Sequence, residues 1–156
     1  MIFQQMISIE NNFEDPRVNE LLVKHFIELR SVSPEGSAHV LDINGLRNPS
    51  IKFWSLWDNN KLVGCGALKF LNATHGEFKS IRVADDFRNN GFGKIIIDHL
   101  INESKILGIK KISVETGAGV FFKSARILFE RCGFKKCQPF AHYRNDPNSC
   151  YYDKHI

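Results

Sequence analysis

Apolar residues recur along the chain with two different periods, and the switch between them divides it into elements. "MISIEN" alternates as a short first strand. "DPRVNELLVKHFIELRSV" then sets Val18, Leu21, Leu22, His25, Phe26 and Leu29 on one helical stripe, with Asp15 as N-cap and Pro16 in the first turn. "SPEGSAHVLDINGL" reads as a second, shorter helical region, interrupted by Pro34, Gly36 and Gly45. It is more polar than a core-facing segment needs, which leaves room for a substrate-facing role. The pattern next turns to strands, "IKFWSLWD", "LVGCGALKFL" and "EFKSIRVA", separated by "NNK" and "NATHG". Asn59, Asn60 and Gly76 supply the turn chemistry, and three antiparallel strands in series are expected.

A long helix follows in "GFGKIIIDHLINESKILGI", then a strand "KKISVET", a helix "FKSARILFERCG", and strand-like segments in "FKKCQPFAHY" and "CYYDKHI". A meander leading into strand, helix, strand, helix and strand predicts an α/β (α+β) mixed sheet covered by helices.

Composition adds bounds rather than chemistry. The 156 residues suit one domain, residues 1–156, burying about two-thirds of the surface the unfolded chain exposes. Apolar residues make up 43% and charged residues 24%, and no run reaches the roughly 20 apolar residues of a membrane span. "MIFQQMISIENN" lacks a cationic region and a small-residue cleavage site, so mature, cytoplasmic sequence is expected. Cys65, Cys132, Cys137 and Cys150 form no C-x-x-C pair and read as reduced thiols. The six histidines give no H-x-x-x-H pair on an expected helix, and no metal site is expected. The net charge of +4 suits an anionic small ligand as well as weak nucleic-acid contact, and neither nucleic acid nor membrane is expected as a partner.

The chemistry concentrates in "IRVADDFRNNGFGKIII", where a strand passes through a short loop into a helix. The N–H groups of Asn90 to Lys94 then lie unsatisfied at the helix's positive end. Gly91 and Gly93 remove side chains that would hold a diphosphate away, and Arg88 and Lys94 add positive charge, so the segment reads either as a phosphate cradle or as a solvated basic turn. A Walker loop is excluded because Ile95 follows Lys94 and no glycine stands at the required distance. "GAGVFF" lacks the third glycine of a dinucleotide fingerprint.

Two blocks resolve the choice. "V-x-x-x-x-R-N-N-G-F-G", Val83 to Gly93, resembles the acyl-CoA signature of the GNAT superfamily of N-acetyltransferases, with its R/Q-x-x-G-x-G/A core. "SARILFERCGF", Ser124 to Phe134, resembles the family's N-A-x-x-L-Y-x-x-x-G-F block, with Ala125, Leu128, Gly133 and Phe134 in register. The resemblance implies a central, mostly antiparallel sheet of six to seven strands flanked by about four helices. It also implies a V-shaped parting of two parallel strands, "EFKSIRV" and "KKISVET", with acetyl-CoA in the gap as cosubstrate. The implied cofactor surface comprises Ile81, Arg82 and Val83, then Arg88, Asn89, Asn90, Gly91, Phe92, Gly93 and Lys94, and Ser124, Arg126 and Phe129. Pantetheine would pair with the backbone of Ile81 and Val83, and the pyrophosphate with the amides of Arg88 to Lys94.

Acetylating an amine requires removing a proton, since a lysine-like ammonium of pKa about 10.4 is only about one part in 10³ neutral at pH 7. Glu77, fourteen residues before Gly91, has the spacing of the glutamate base in the family's histone-modifying branch, and strand alternation places it with Lys79 and Ile81. Glu115 is the rival carboxylate. The family's usual tyrosine acid is replaced by Phe129; Tyr143 is the first substitute, with Tyr151 and Tyr152 behind it. Cys132 fits core packing better than covalent catalysis.

Arg30, His39, Asp42, Asn44, Arg47, Lys69 and His142 are candidate acceptor linings. The expected activity is transfer of an acetyl group from acetyl-CoA to a primary amine of a small molecule, by direct attack in a ternary complex. A non-catalytic acyl-CoA sensor and a peptide or protein N-acetyltransferase are the alternatives, and a homodimer is a possible assembly.

Overall fold

Asp15 sets the start of the first helix: its carboxylate accepts the Arg17 backbone N–H at 2.9 Å, and Pro16 takes the first turn. In the computed structural model, which describes residues 6–156, this helix, α1, runs Pro16–Val32 and buries Val18, Leu21, Leu22 and His25. The reading of the N-terminus as mature sequence rests partly on residues 1–5, which lie outside the described residues. The second helical region shrinks to one turn, α2 (Ile43–Leu46), capped by Asp42. Residues 33–42 are irregular, since Pro34 offers no amide donor and Gly36 takes φ 81°.

Seven strands form one sheet: β1 (Ile7–Glu10), β2 (Ile51–Asp58), β3 (Lys61–Phe70), β4 (His75–Val83), β5 (Lys111–Gly117), β6 (Lys135–Lys136) and β7 (Ser149–His155), in the order β1-β2-β3-β4-β5-β7-β6. Asn59 and Asn60, both at positive φ, turn β2 into β3. Among the described residues, only β4 and β5 run parallel. The long helix α3 (Phe92–Ile106) and α4 (Lys123–Arg131) cover one face, and α1 and α2 the other. "FKKCQPFAHY" contributes only β6, because Pro139 cannot donate to a ladder and Ala141 turns the backbone at φ 52°.

Each face has its own core. Trp54, Leu68, Phe78, Ile96, Leu100, Ile112 and Tyr152 belong to the α3/α4 side, and Val18, Leu22, Phe53, Trp57 and Ala67 to the α1 side. The alternation along β2, with Trp54 and Leu56 on one side and Phe53 and Trp57 on the other, follows from the two-residue strand period.

Two features of β4 position the site. It pairs with β5 only at His75↔Lys111, Gly76↔Ile112 and Glu77↔Ser113, after which the two strands diverge while β4 continues along β3 and β5 along β7. The facing edges beyond Glu77 and Ser113 thus carry backbone groups with no strand partner. The second feature is a bulge: Cys65 pairs with Arg82 and Ala67 with Lys79, so Gly66 stands against both Ser80 and Ile81, and Ser80 takes φ 54°. The bulge reverses the parity of every later residue. Ile81 and Val83 therefore pack on the α3/α4 core, while Arg82 turns to the α1 side and reaches Glu28 at 2.7 Å. The expected grouping of Glu77, Lys79 and Ile81 on one face is corrected: Arg82, not Ile81, shares their face.

Candidate active site

Glu77 occupies the last paired position before β4 and β5 part, and it is 1% exposed. Its Oε2 accepts from the Tyr143 hydroxyl at 2.5 Å and from Lys79 Nζ at 3.3 Å, and Lys79 Nζ also donates to the Tyr143 oxygen at 3.0 Å. Its Oε1 is buried and has no hydrogen-bond partner among the described residues. A buried carboxylate with one satisfied and one unsatisfied oxygen is poised to receive a donor. The structure thus brings together Glu77 and Tyr143, which lie far apart in the sequence.

Tyr143 reaches this place on an irregular loop held by aromatic contacts. Its ring lies 5.0 Å from Phe140 and 5.7 Å from Tyr151, while His39 meets it edge-on at 5.1 Å and His142 stacks on it at 5.1 Å. The Tyr151 hydroxyl donates to the Arg144 carbonyl at 2.7 Å, and the Ser37 hydroxyl donates to Asp146 at 2.7 Å, joining the loop to the segment before α2. Burial first, and the Glu77 carboxylate second, hold the Tyr143 phenol well above its ordinary range.

Glu115, across from Tyr151 on β5, is pushed up to about 7 by burial, against the opposing pull of Lys79. His39 is held below its usual range, by burial and then by Lys79. Two carboxylates, one ammonium, one phenol and two imidazoles therefore share one side of the parting.

On the far side, the Arg88–Lys94 turn leads into α3, and its side chains bond mostly within the turn and the helix. Gly91 caps α3 at φ 82° with no side-chain cap, so the first-turn N–H groups remain open. Asn89 takes φ 63°, and the Asn90 amide donates to the Arg88 carbonyl at 2.9 Å, shaping the turn. Phe92 meets Phe87 edge-on at 5.1 Å, which clamps the 3-10 turn Asp85–Phe87 to the helix start. The missing side chain of Gly93 makes room for another residue: a Cβ there would stand 2.7 Å from Leu128 Cδ2 of α4. Lys94 donates to Asp98 at 2.6 Å, and Arg88 lies 3.3 Å from Asp85, so both cations are partnered by acids.

Other anticipated residues disperse. Ser124 is exposed in the first turn of α4, and Arg126 donates to the carbonyls of Gly117 at 2.7 Å and Gly119 at 2.8 Å, closing the β5–α4 turn. Phe129 is buried against Phe134 and Tyr152, and Cys132 is a core residue. Among the acceptor candidates, His39 and His142 gather on Tyr143. Arg30 lies over Phe26 and Arg47 over Phe13, while Asp42 caps α2. Lys69 pairs with Glu77 in the β3–β4 register, and Asn44 is exposed in α2. Lys79 is the member of the cluster that sequence reasoning passed over as a site residue. Its alternation with Glu77 was the available signal.

The acetyltransferase (GNAT) family model matches residues 16–134 of this chain. The chain is 41% identical over 140 residues to the uncharacterized N-acetyltransferase YsnE of Bacillus subtilis, covering 90% of this chain and 93% of that protein. It is 39% identical over 134 residues to the uncharacterized N-acetyltransferase YedL of Escherichia coli, covering 86% and 84%. Among solved structures, a GNAT family acetyltransferase from Elizabethkingia anophelis with acetyl-CoA bound superposes with a TM-score of 0.69 at 18% identity, covering 97% of this chain and 98% of that one. The parted parallel strands, the open helix terminus at Gly91 and the match across most of the chain agree: the protein belongs to the GNAT family and is an acetyl-CoA-dependent acetyltransferase.

Proposed function

We propose that this enzyme moves the acetyl group of acetyl-CoA to a primary amine of a small molecule, by direct attack in a ternary complex. The observation that carries the reading is the buried, half-satisfied carboxylate of Glu77 at the head of the parting, with Oε1 open and Oε2 fixed by Tyr143 and Lys79. The unpaired edges of β4 and β5 fit an extended amide-bearing arm, and the open N–H groups of the first turn of α3 fit a diphosphate, whereas the Arg88 N–H is already bonded to the Asp85 carbonyl. When bound, acetyl-CoA supplies the thioester carbonyl.

In this reading Glu77 Oε1 first takes the proton of the acceptor ammonium, which frees the nitrogen lone pair, and that proton is the one the reaction releases to solvent. As the C–N bond forms and the C–S bond breaks, Glu77 takes the second nitrogen proton and Tyr143 gives its own to the departing sulfur. Protonated Glu77 then returns the second proton to the Tyr143 oxygen. Burial and then the Glu77 carboxylate keep the phenol from ionising, so protonation of Glu77 removes the second of these causes and favours proton donation by Tyr143 after the base has acted. Lys79 balances the carboxylate throughout. The two core clusters share one sheet, which supports a single domain over residues 1–156, and the four free thiols support a reducing, cytoplasmic setting.

The test is free-thiol release from acetyl-CoA against a panel of small amines and of peptides, for the wild type and Glu77→Gln. Turnover of a small amine, with kcat lowered about 10²- to 10⁴-fold in the variant and acetyl-CoA affinity retained, is expected. Turnover of peptides alone, or full activity of the variant, would overturn the reading.

A further inference from the structure

The two strands that part beyond Glu77 each carry an acid on the α1 side of the sheet. On β4 it is Glu77. On β5, Ile112 and Val114 pack into the α3/α4 core, so Ser113 and Glu115 turn to the opposite face. Ser113 is the register partner of Glu77, which sets Glu115 two residues further along the diverging edge, about 7 Å at the strand rise. The two carboxyls act on one another, and Lys79 acts on Glu115 from across the gap.

Neither acid is satisfied by the protein. Glu77 Oε1 is buried without a partner, and the half-buried Glu115 carboxyl makes no hydrogen bond among the described residues. Burial has raised Glu115 to about 7, a condition that a bound cation would relieve. The charges nearby are already engaged. The Lys79 ammonium is bonded to Glu77 Oε2 and to Tyr143, and Asp146, a third acid acting on Glu115, accepts from Ser37 and Asn148. Groups suited to an acceptor's carboxylate point elsewhere: Arg30 lies over Phe26, Arg47 lies over Phe13, and Lys69 stands on β3, across β4 from the parting. Two open anionic positions thus face one gap.

We propose that the acceptor is a short aliphatic diamine, whose reacting nitrogen meets Glu77 Oε1 while its second ammonium is held by Glu115. An offset of about 7 Å between the two strand positions suits roughly three to five methylenes between the nitrogens. The second ammonium donates charge-assisted hydrogen bonds to the Glu115 carboxylate and stays protonated throughout. The acetyl group therefore joins the first nitrogen alone, with the bond changes already given for a single amine. A monoamine of the same length leaves Glu115 without a donor, and an amino acid of that length sets its own carboxylate against it. Selectivity then comes from an acid that the transfer step itself does not use.

This inference rests on the small-amine reading with Glu77 as base, and the experiment separates the two. Diaminobutane, butylamine and aminobutyrate are compared by free-thiol release from acetyl-CoA in the wild type, Glu115→Gln, Glu115→Asp and Glu77→Gln, after acetyl-CoA binding has shown each variant folded. In the wild type, kcat/KM for diaminobutane should exceed that for butylamine by about 10- to 100-fold, with aminobutyrate slowest. In Glu115→Gln that preference should fall to about one, the loss lying in the diamine KM rather than in kcat, and Glu115→Asp should restore part of it. Calorimetry on the CoA complex supplies a readout independent of turnover: the Kd for diaminobutane should rise in Glu115→Gln by the same factor as KM. Butylamine matching diaminobutane in the wild type, a diamine preference that survives Glu115→Gln, or a preference for aminobutyrate overturns the diamine assignment while leaving the small-amine reading in place. Full activity in Glu77→Gln, or turnover of peptides alone, instead overturns that underlying reading.

Discussion

The Tyr143 hydroxyl donates to Glu77 Oε2 at 2.5 Å, bonding an irregular loop to the last paired position of a parallel strand pair 66 residues away. The family's usual tyrosine position holds Phe129, which is buried in the core, so the phenol enters the site from another element. Tyr143→Phe removes the hydroxyl and keeps the ring contacts with Phe140 and Tyr151. A fall in kcat of about 10- to 100-fold is expected, smaller than for Glu77→Gln, because a thiol of pKa about 8.5 leaves with modest help. Steady-state kinetics with unchanged acetyl-CoA affinity would check it, and a kcat equal to the wild type would remove Tyr143 from proton transfer.

Glu115 gives the site a pH signature. Its carboxyl is raised from about 4.5 to about 7, chiefly by burial, so between these values the folded state holds a proton that the unfolded state has lost. The contribution is present at low pH and disappears as the pH rises through 7. Glu115→Gln lacks this dependence. The wild type should therefore gain about 2 kcal/mol of stability relative to the variant between pH 8 and pH 5, read from urea unfolding at both values. Parallel pH profiles for the two proteins would contradict the raised carboxyl.

Gly91 and Gly93 look alike in the sequence, and the structure separates them. A Cβ at Gly91 meets nothing within 4 Å but sits at φ 82°, whereas one at Gly93 would press on Leu128 at 2.7 Å. Gly91→Ala should cost about 1 to 2 kcal/mol through left-handed strain alone, whatever stands at position 128. Gly93→Ala should cost about 1 to 3 kcal/mol through overpacking between α3 and α4. A double-mutant cycle with Leu128→Ala should show coupling for Gly93→Ala and none for Gly91→Ala.

These cases mark where the sequence was readable. Asp15 with Pro16, the paired Asn59 and Asn60, and the 3.6-residue stripe of α1 are local signals that act within one turn of the chain, and the structure follows them. The Arg88–Lys94 turn was legible for the same reason, since what the structure shows of it is main-chain geometry between a strand and a helix. The bulge at Ser80 was not. Nothing in "EFKSIRV" requires an extra residue; it arises where Gly66 on the neighbouring strand faces two residues, and it decides whether Ile81 or Arg82 shares a face with Glu77. The Tyr143 loop was equally hidden, because aromatic packing across β7 fixes it rather than any period of its own. The pairing of Lys94 with Asp98 one turn along is again a local i,i+4 relationship that the helical period anticipates.

His25 offers a last test, on the α1 side of the same strand. It is 6% exposed, its Nδ1 has no partner among the described residues, and it faces the buried Arg82–Glu28 ion pair. Burial first, then Arg82, lowers its pKa from about 6.5 to about 4. Above pH 6.5 the neutral ring costs nothing. As the pH falls from 6.5 toward 4 the unfolded state takes up a proton that the folded state refuses, and stability is lost. At pH 5 the loss amounts to about 2 kcal/mol. His25→Leu keeps the volume and removes the titration. It should lie within about 1.5 kcal/mol of the wild type at pH 7.5. Between pH 7.5 and pH 5 it should gain about 2 kcal/mol on the wild type in chemical unfolding. An equal loss in both proteins over that interval would show that acid acts elsewhere and that His25 is protonated in the fold without penalty.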